Sequence, residues 1–166
     1  YSLTTEDGTI VYDTSYGSNG KFFSKDSFDF TFYASGTYYI RFAIMDTGVS
    51  PYVWFNTGLY GIKLVIDDKG YPTVENVVAD LKAQCGKTCT TDFEKAVWFN
   101  DWLVENCRYD SSYSYCAPEG ALARGSGTCE AYHRAYVMLL NSVGIATDRI
   151  SGDGHVWTGV QLDGNW

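Results

Sequence analysis

A cysteine at the start of an apolar-periodic segment is the residue of this chain best placed to do chemistry. Cys129 follows Gly127 and Thr128, and helix-like periodicity begins directly after it. Unpaired N–H groups at a helix N-terminus stabilise a thiolate. His155 comes later, after a glycine-rich bend, at the start of a strand-like segment. An imidazole beside such a thiol takes its proton and returns it to a leaving group, so the pair predicts nucleophilic catalysis.

The surroundings of this pair can also be predicted in part. Trp157 has the same strand parity as His155, so its indole is expected on the same face, where it would shield the site from water. The backbone N–H of Cys129 is the expected first oxyanion donor. Trp98 and Trp102 carry indole N–H groups, but their positions favour core packing. A second oxyanion donor is therefore not assigned by the sequence.

Helices and strands that would position these residues follow from periodicity and capping signals. The predicted elements are helices over 73–84, 92–106 and 129–142 and strands over 145–151 and 155–162. Thr91 and Glu94 form a capping-box pattern at the second helix, and Gly144 is placed to end the third. Asp163-Gly164 predicts a two-residue hairpin turn.

The first 70 residues have a different character, with short β-branched and aromatic runs between turn signals. The runs cover residues 9–13, 28–33, 37–44, 52–55 and 62–67. About five to seven strands at this spacing predict a small β-sandwich over residues 1–70. This part shows no cluster of titratable residues, so we expect an accessory domain. Tyr71-Pro72 marks the predicted boundary to a second domain over 71–166.

Five cysteines leave one over if four of them pair. Three residues separate Cys85 from Cys89 and eight separate Cys107 from Cys116, so each pair closes a short local loop. We expect disulfides Cys85–Cys89 and Cys107–Cys116, a free Cys129, and hence an oxidising compartment. A zinc site built from the same four residues, or free thiols throughout, are the alternatives, although the eight-residue gap fits zinc spacing poorly.

Charge and hydropathy limit the partner classes. The 166 residues carry 12 Lys and Arg against 20 Asp and Glu, a net charge of −8. This argues against nucleic acid and anionic lipid as partners, since both attract basic patches. The sequence has no apolar run of membrane-spanning length, so no membrane insertion of this segment is expected, and any signal peptide or anchor would lie outside it. Aromatic residues make up 17%, which suits a folded protein that is secreted or at the cell surface.

An ordered set of short motifs carries a family resemblance. The motifs are Ala96–Leu103, Tyr109-Asp110, Gly127–Tyr132, Leu139-Leu140 with Gly144-Ile145, Gly154–Trp157 and Leu162–Trp166. Each is weak alone, but their order and spacing together are specific. Residues from about 73 to 166 thereby resemble the transglutaminase-like core of the papain-type cysteine enzymes.

This resemblance implies an α+β fold in which helices pack on an antiparallel sheet. It implies a Cys129 nucleophile and a His155 base that act on protein or peptide amides, as in a transglutaminase-like peptidase or cross-linking enzyme. No cofactor is implied, and calcium dependence is not carried over because no calcium-loop pattern is present. The residues do not decide between hydrolysis and transfer to an amine, and they identify neither the substrate nor the oligomeric state.

One member of the family's triad has no match in the sequence. In the family an Asp on the strand after the histidine orients the imidazole. If Asp163-Gly164 is a two-residue turn, His155 faces a position about six residues past Trp166. We therefore expect the 71–166 domain to be C-terminally incomplete and poorly active by itself, since an unoriented imidazole samples wrong tautomers. Asp153 shares strand parity with His155 but lies in a glycine bend, so it is a weak substitute.

Two further interpretations stay open. Cys129, His133 and His155 would supply three zinc ligands, although no fourth ligand and no supporting carboxylate can be identified. Alternatively, the chain is a surface adhesion or scaffold module of the same fold without catalytic activity. The missing Asp and the aromatic N-terminal region both permit that interpretation.

Overall fold

The computed structural model describes residues 2–13, 30–46, 48 and 53–166. Its N-terminal part is one antiparallel sheet of four strands in the order β2-β1-β3-β4. The strands are β1 (Ser2–Thr4), β2 (Ile10–Asp13), β3 (Gly36–Asp46) and β4 (Val53–Ile66). Helices make up nearly half of residues 67–166, so the chain is an α+β protein as predicted.

The predicted N-terminal sandwich is not confirmed, because the described residues of this region form that single sheet. Predicted strands 9–13 and 37–44 correspond to β2 and β3. Residues 28 and 29 lie outside the described part, and residues 30–33 are irregular. Their alternating aromatic rings pack on the sheet: Phe32 lies 4.9 Å from Phe30 and 4.7 Å from Tyr38, centroid to centroid. The alternation therefore reflects aromatic packing and not strand pairing.

Three α-helices follow, and each begins within a residue or two of its predicted start. They are α1 (Val74–Cys85), α2 (Asp92–Asn106) and α3 (Cys129–Ser142). The predicted capping box is present at α2, with Thr91 accepting from the Glu94 N–H. Backbone N–H groups of Thr91 and Thr90 donate in return to the Glu94 carboxylate and lower its pKa to about 2. No helix within the described ranges is long and apolar enough to cross a membrane.

The main core lies where α3 packs against α1 and α2. Phe99, Leu139 and Leu140 are fully buried there, and burial of each such side chain stabilises the fold by about 1.5–3 kcal/mol. Trp98 and Trp102 pack against this core, which confirms the interpretation made from the sequence. The core fixes α3, and with it the position of Cys129.

An antiparallel hairpin of β7 (Thr147–Gly152) and β8 (His155–Val160) lies against α3. Asp153 and Gly154 join the strands with φ of +52° and +72°, the backbone of a type I′ turn. Asp153 therefore belongs to the turn, which removes the strand parity behind its role as a substitute triad member.

The hairpin turn predicted at Asp163-Gly164 is present. Leu162 and Asn165 exchange backbone hydrogen bonds of 2.8 and 2.9 Å around Asp163-Gly164. Asp163 and Gly164 have φ of +51° and +79°, and Asp-Gly is a preferred pair for such a turn.

Arg124 joins the N-terminal part to the core. It ends a π-helix over Gly120–Arg124. Its guanidinium lies 4.5, 4.8 and 4.4 Å from the ring centroids of Phe30, Tyr33 and Tyr115. It also donates to the backbone oxygen of Thr31 and to the carboxylate of Glu119. A desolvated cation–π contact contributes up to about 2 kcal/mol, so this side chain is a strong tie between the two parts.

Candidate active site

Cys129 is the first residue of α3, with Thr128 as the N-cap. The first bond of the helix ladder runs from the Tyr132 N–H to the Thr128 oxygen at 3.0 Å. The Cys129 N–H precedes that ladder and has no acceptor within the helix. The positive end of the helix dipole therefore lies at the thiol.

Two glycines hold the backbone ahead of Cys129 in a tight path. Strand β6 (Ser126–Gly127) pairs in parallel with β5 (Arg108–Tyr109). A Cβ on Gly127 would lie 2.6 Å from the Cβ of Ala131, and one on Gly120 would lie 2.7 Å from the Ser126 oxygen. No side chain fits at either position without a shift, so these glycines let the loop press against the first turn of α3.

Asp110 organises the segment that follows β5. Its buried carboxylate accepts hydrogen bonds from the N–H groups of Ser112 (2.9 Å), Ser114 (2.7 Å) and Tyr115 (3.0 Å). Its own N–H donates to the Gly127 oxygen at 2.9 Å. Burial raises the pKa of Asp110, but the hydrogen bonds outweigh burial and the net pKa is lowered. Sequence reasoning gave Asp110 no role, although an Asp followed by Ser residues is a signal for such turns.

We expect Asp110→Asn to destabilise the protein by about 2–4 kcal/mol at pH 7, because one amide oxygen cannot replace a carboxylate that accepts several bonds. A lowered folded-state pKa stabilises the protein above the unfolded value of about 3.9 and stops doing so as pH falls through the folded value. The difference in the free energy of unfolding between wild type and variant should therefore narrow towards pH 2. Urea unfolding at both pH values measures this, with the exposed Asp80→Asn as the control. Equal stability of wild type and Asp110→Asn at pH 7 contradicts the prediction.

His155 begins β8, and its ring is half-buried. The ring centroids of His155 and Trp157 lie 4.8 Å apart, edge to face at 66°. The two side chains therefore share one face of the strand, as parity predicted. Trp157 remains 48% exposed, so its indole covers the imidazole from the solvent side.

Two cavities meet at Cys129 and His155, since both residues line both of them. The first, of about 350 Å³, includes the charged side chains of Glu130 and Arg149 and is completed by Ser151, Gly152, Gly154 and Val156. The second, of about 390 Å³, is largely aromatic and includes Leu103, Val104, Tyr109, Tyr132, Tyr136 and Trp157. A larger crevice of about 710 Å³ between the β1–β2 turn and α3 includes neither Cys129 nor His155. The Cys129 thiol and the His155 imidazole therefore both border open space on two sides.

Glu130 gathers two guanidinium groups beside the thiol. It accepts from Arg134 Nε at 2.7 Å and from both terminal nitrogens of Arg149 at 2.9 and 2.6 Å. Glu130 and Arg134 form an i,i+4 ion pair on α3, and Arg149 from β7 extends it. Burial raises the pKa of Glu130, but the two arginines outweigh burial and lower it. Arg134 also lies 3.6 Å from the Asp7 carboxylate, so two guanidinium groups face two carboxylates beside the first turn of α3.

His133 is buried one turn along α3, with Nδ1 at 2.8 Å from the Thr158 hydroxyl. Burial lowers its pKa and keeps the ring neutral at pH 7. Within the described ranges, no three His, Cys, Asp or Glu residues are arranged to hold a metal. The zinc alternative built on Cys129, His133 and His155 therefore has no geometric support, nor does the four-cysteine site.

All five cysteines are free thiols in the structure. Cys85 and Cys89 are neighbours. Burial, and to a lesser extent contact with Cys89, raises the pKa of Cys85 to about 11. Burial also raises the pKa of both Cys107 and Cys116. Neither disulfide is formed here, so Cys85–Cys89 and Cys107–Cys116 stay predictions.

Comparison with known families agrees with this geometry. A model of the Transglutaminase-like superfamily matches residues 79–166, just over half of the 166-residue chain. The comparisons with curated proteins and with solved structures found no match. The matched stretch includes α2, α3 and the β7–β8 hairpin, and it confirms the resemblance carried by the sequence motifs. The chain belongs to the Transglutaminase-like superfamily.

Proposed function

We propose that the chain catalyses acyl transfer at protein or peptide amides, with Cys129 as nucleophile and His155 as acid and base. The observation that carries the proposal is that both side chains line both cavities at the N-terminus of α3. Such a junction lets an acyl group lie on one side of the sulfur and the leaving amine on the other. Membership of a superfamily that is commonly a cysteine-nucleophile enzyme fold supports it.

The chemistry proceeds in two halves. The Cys129 sulfur attacks the amide carbon, a thioester forms, and His155 protonates the departing amine. Water or a second amine then attacks the thioester and releases the acyl group. Release by water makes the chain a peptidase, and release by an amine makes it a cross-linking enzyme. The helix N-terminus and Arg149 support the first half, because both favour the anionic sulfur.

We place this activity outside the cell, in a secreted or surface protein. The acidic, tyrosine-rich composition supports that setting, as does the contact between Cys85 and Cys89, which an oxidising environment would convert to a disulfide. In this proposal Trp157 limits water access to His155. The N-terminal region serves as the accessory part of the protein.

We expect iodoacetamide to label native protein at Cys129 first, at a rate that stays high well below about pH 8.5, where an ordinary thiol ionises. Rates across pH 4 to 9, with the site identified by peptide mass spectrometry, measure this. Cys129→Ser should remove the fast label, whereas Cys116→Ser, which removes a neighbouring half-buried thiol, should retain it. Unfolding without reductant then counts the remaining thiols and tests both predicted disulfides.

The same experiment can exclude the proposal. A Cys129 that is inert, or that reacts only as pH approaches about 8.5 like a free thiol, lacks a stabilised thiolate. In that case the alternative of an inactive adhesion or scaffold module with this fold is favoured.

A further inference from the structure

One phenol beside the nucleophile has no part in the mechanism described so far. Tyr109 ends β5 and pairs in parallel with Gly127, two residues before Cys129. The bond from the Asp110 N–H to the Gly127 oxygen, 2.9 Å long, fixes this register. Tyr109 also lines the aromatic cavity together with Cys129 and His155. The fold therefore brings a hydroxyl to the reacting sulfur through a short strand pair.

The Tyr109 hydroxyl interacts with two different groups of Cys129. Burial raises the pKa of Tyr109 and the Cys129 thiol raises it further, whereas the Cys129 backbone N–H lowers it. The β5–β6 register and the shared cavity wall independently place the Tyr109 side chain beside Cys129. When a thiol attacks a carbonyl carbon, the carbonyl oxygen must lie near that same N–H to receive its hydrogen bond.

We propose that Tyr109 is a catalytic residue whose hydroxyl donates a hydrogen bond to the oxyanion, alongside the backbone N–H of Cys129. This inference rests on the proposed function. As sulfur bonds to the carbonyl carbon, the C=O π pair moves to oxygen, and the anion accepts both hydrogen bonds. The pair then re-forms the carbonyl while the C–N bond breaks and His155 protonates the nitrogen. Tyr109 keeps its proton throughout.

The surroundings of Tyr109 suit this role. Its ring packs edge to face on Tyr113, with centroids 6.4 Å apart at 86°, and Tyr113 lies in the segment that Asp110 organises. Tyr109 remains 46% exposed, so a substrate can reach its hydroxyl. The indoles of Trp98 and Trp102 pack against the core instead, so neither is assigned this role.

Two probes separate an oxyanion donor from other roles. Acylation of Cys129 by p-nitrophenyl acetate passes through a tetrahedral oxyanion, whereas alkylation by iodoacetamide displaces iodide and forms none. We expect Tyr109→Phe to slow acylation by about 10²-fold and to change alkylation by less than about threefold. Tyr113→Phe is the matched control, since it removes a phenol hydroxyl from the ring that packs on Tyr109, and both rates should stay near wild type.

Each other result overturns the proposal. Unchanged acylation in Tyr109→Phe means that the hydroxyl does not meet the oxyanion. A parallel fall in both rates means that it only stabilises the thiolate, and a parallel rise means that it blocks the sulfur. An equal loss of acylation in Tyr113→Phe points to a structural effect. If wild type is not acylated and its Cys129 alkylates like an ordinary thiol, the proposed function itself fails and this proposal fails with it.

Discussion

Replacing His155 with alanine should lower the rate at which p-nitrophenyl acetate acylates Cys129 by about 10²–10⁴-fold, the range for loss of a general base. The reason is that no other described imidazole lines both cavities at the sulfur. Stopped-flow release of p-nitrophenolate measures the rate. Added imidazole should restore part of it, because the space left by the half-buried ring adjoins both cavities.

The second histidine supplies the control. His133 is buried against Thr158, so His133→Asn should cost stability while leaving acylation of the folded protein near wild type. A His155→Ala protein that acylates as fast as wild type would remove His155 from the mechanism. Equal losses in both variants would mean that the effect is structural.

Gly127→Ala should destabilise the protein by about 1–3 kcal/mol or more, as expected for overpacking. The new Cβ would lie 2.6 Å from the Cβ of Ala131, and relief requires movement of the loop or of the first turn of α3. Because Cys129 lies between these residues, its fast alkylation should be lost as well. Urea unfolding and the iodoacetamide rate measure the two effects.

Two further variants make this test specific. Gly152→Ala is the control, since a Cβ there has no neighbour within 4 Å. The double variant Gly127→Ala with Ala131→Gly removes the close Cβ pair and should recover fast alkylation, at a cost of about 1 kcal/mol for a glycine in a helix. A double variant that alkylates as slowly as Gly127→Ala would show that the contact with Ala131 is not the cause.

Local signals predicted the helical part of the chain well. The capping box of Thr91 and Glu94 and the apolar stripes predicted the helices, and Asp163-Gly164 predicted the turn. These signals depend only on residues that are close together in the sequence. The region of the long strand β4 was predicted as two runs, 52–55 and 62–67, which are separated by a stretch that contains Gly58 and Gly61. In the structure the β3–β4 pairing is irregular there, with Arg41 opposite Gly61 and Ala43 opposite Asn56. An irregular ladder lets a strand continue past glycines that otherwise mark its end.

The residues of the candidate site also differ in how far the sequence predicted them. Cys129, His155 and Trp157 could be singled out from sequence because each is tied to a long periodic element. Tyr109 and Asp110 appeared in the sequence only as a short motif of the family resemblance, with no role assigned, because their place beside the loop before Cys129 depends on a parallel pair of two-residue strands. A pairing that short leaves no periodicity in the sequence. The need for glycine at its partner, Gly127, is seen only in the structure, where a side chain would have no space.

Through Arg124, contacts made by the N-terminal region help to stabilise the loop that leads to Cys129. The residue lies on the segment that leads to Cys129, yet Phe30, Tyr33 and the Thr31 oxygen hold it from the other part of the chain. If those contacts were removed, Arg124 could move away from the buried carboxylate of Glu119, with which it forms an ion pair. Residues 30–33 and the loop before Cys129 should therefore open as one cooperative unit. By linkage, a ligand that stabilises the N-terminal sheet also stabilises the conformation that holds Cys129.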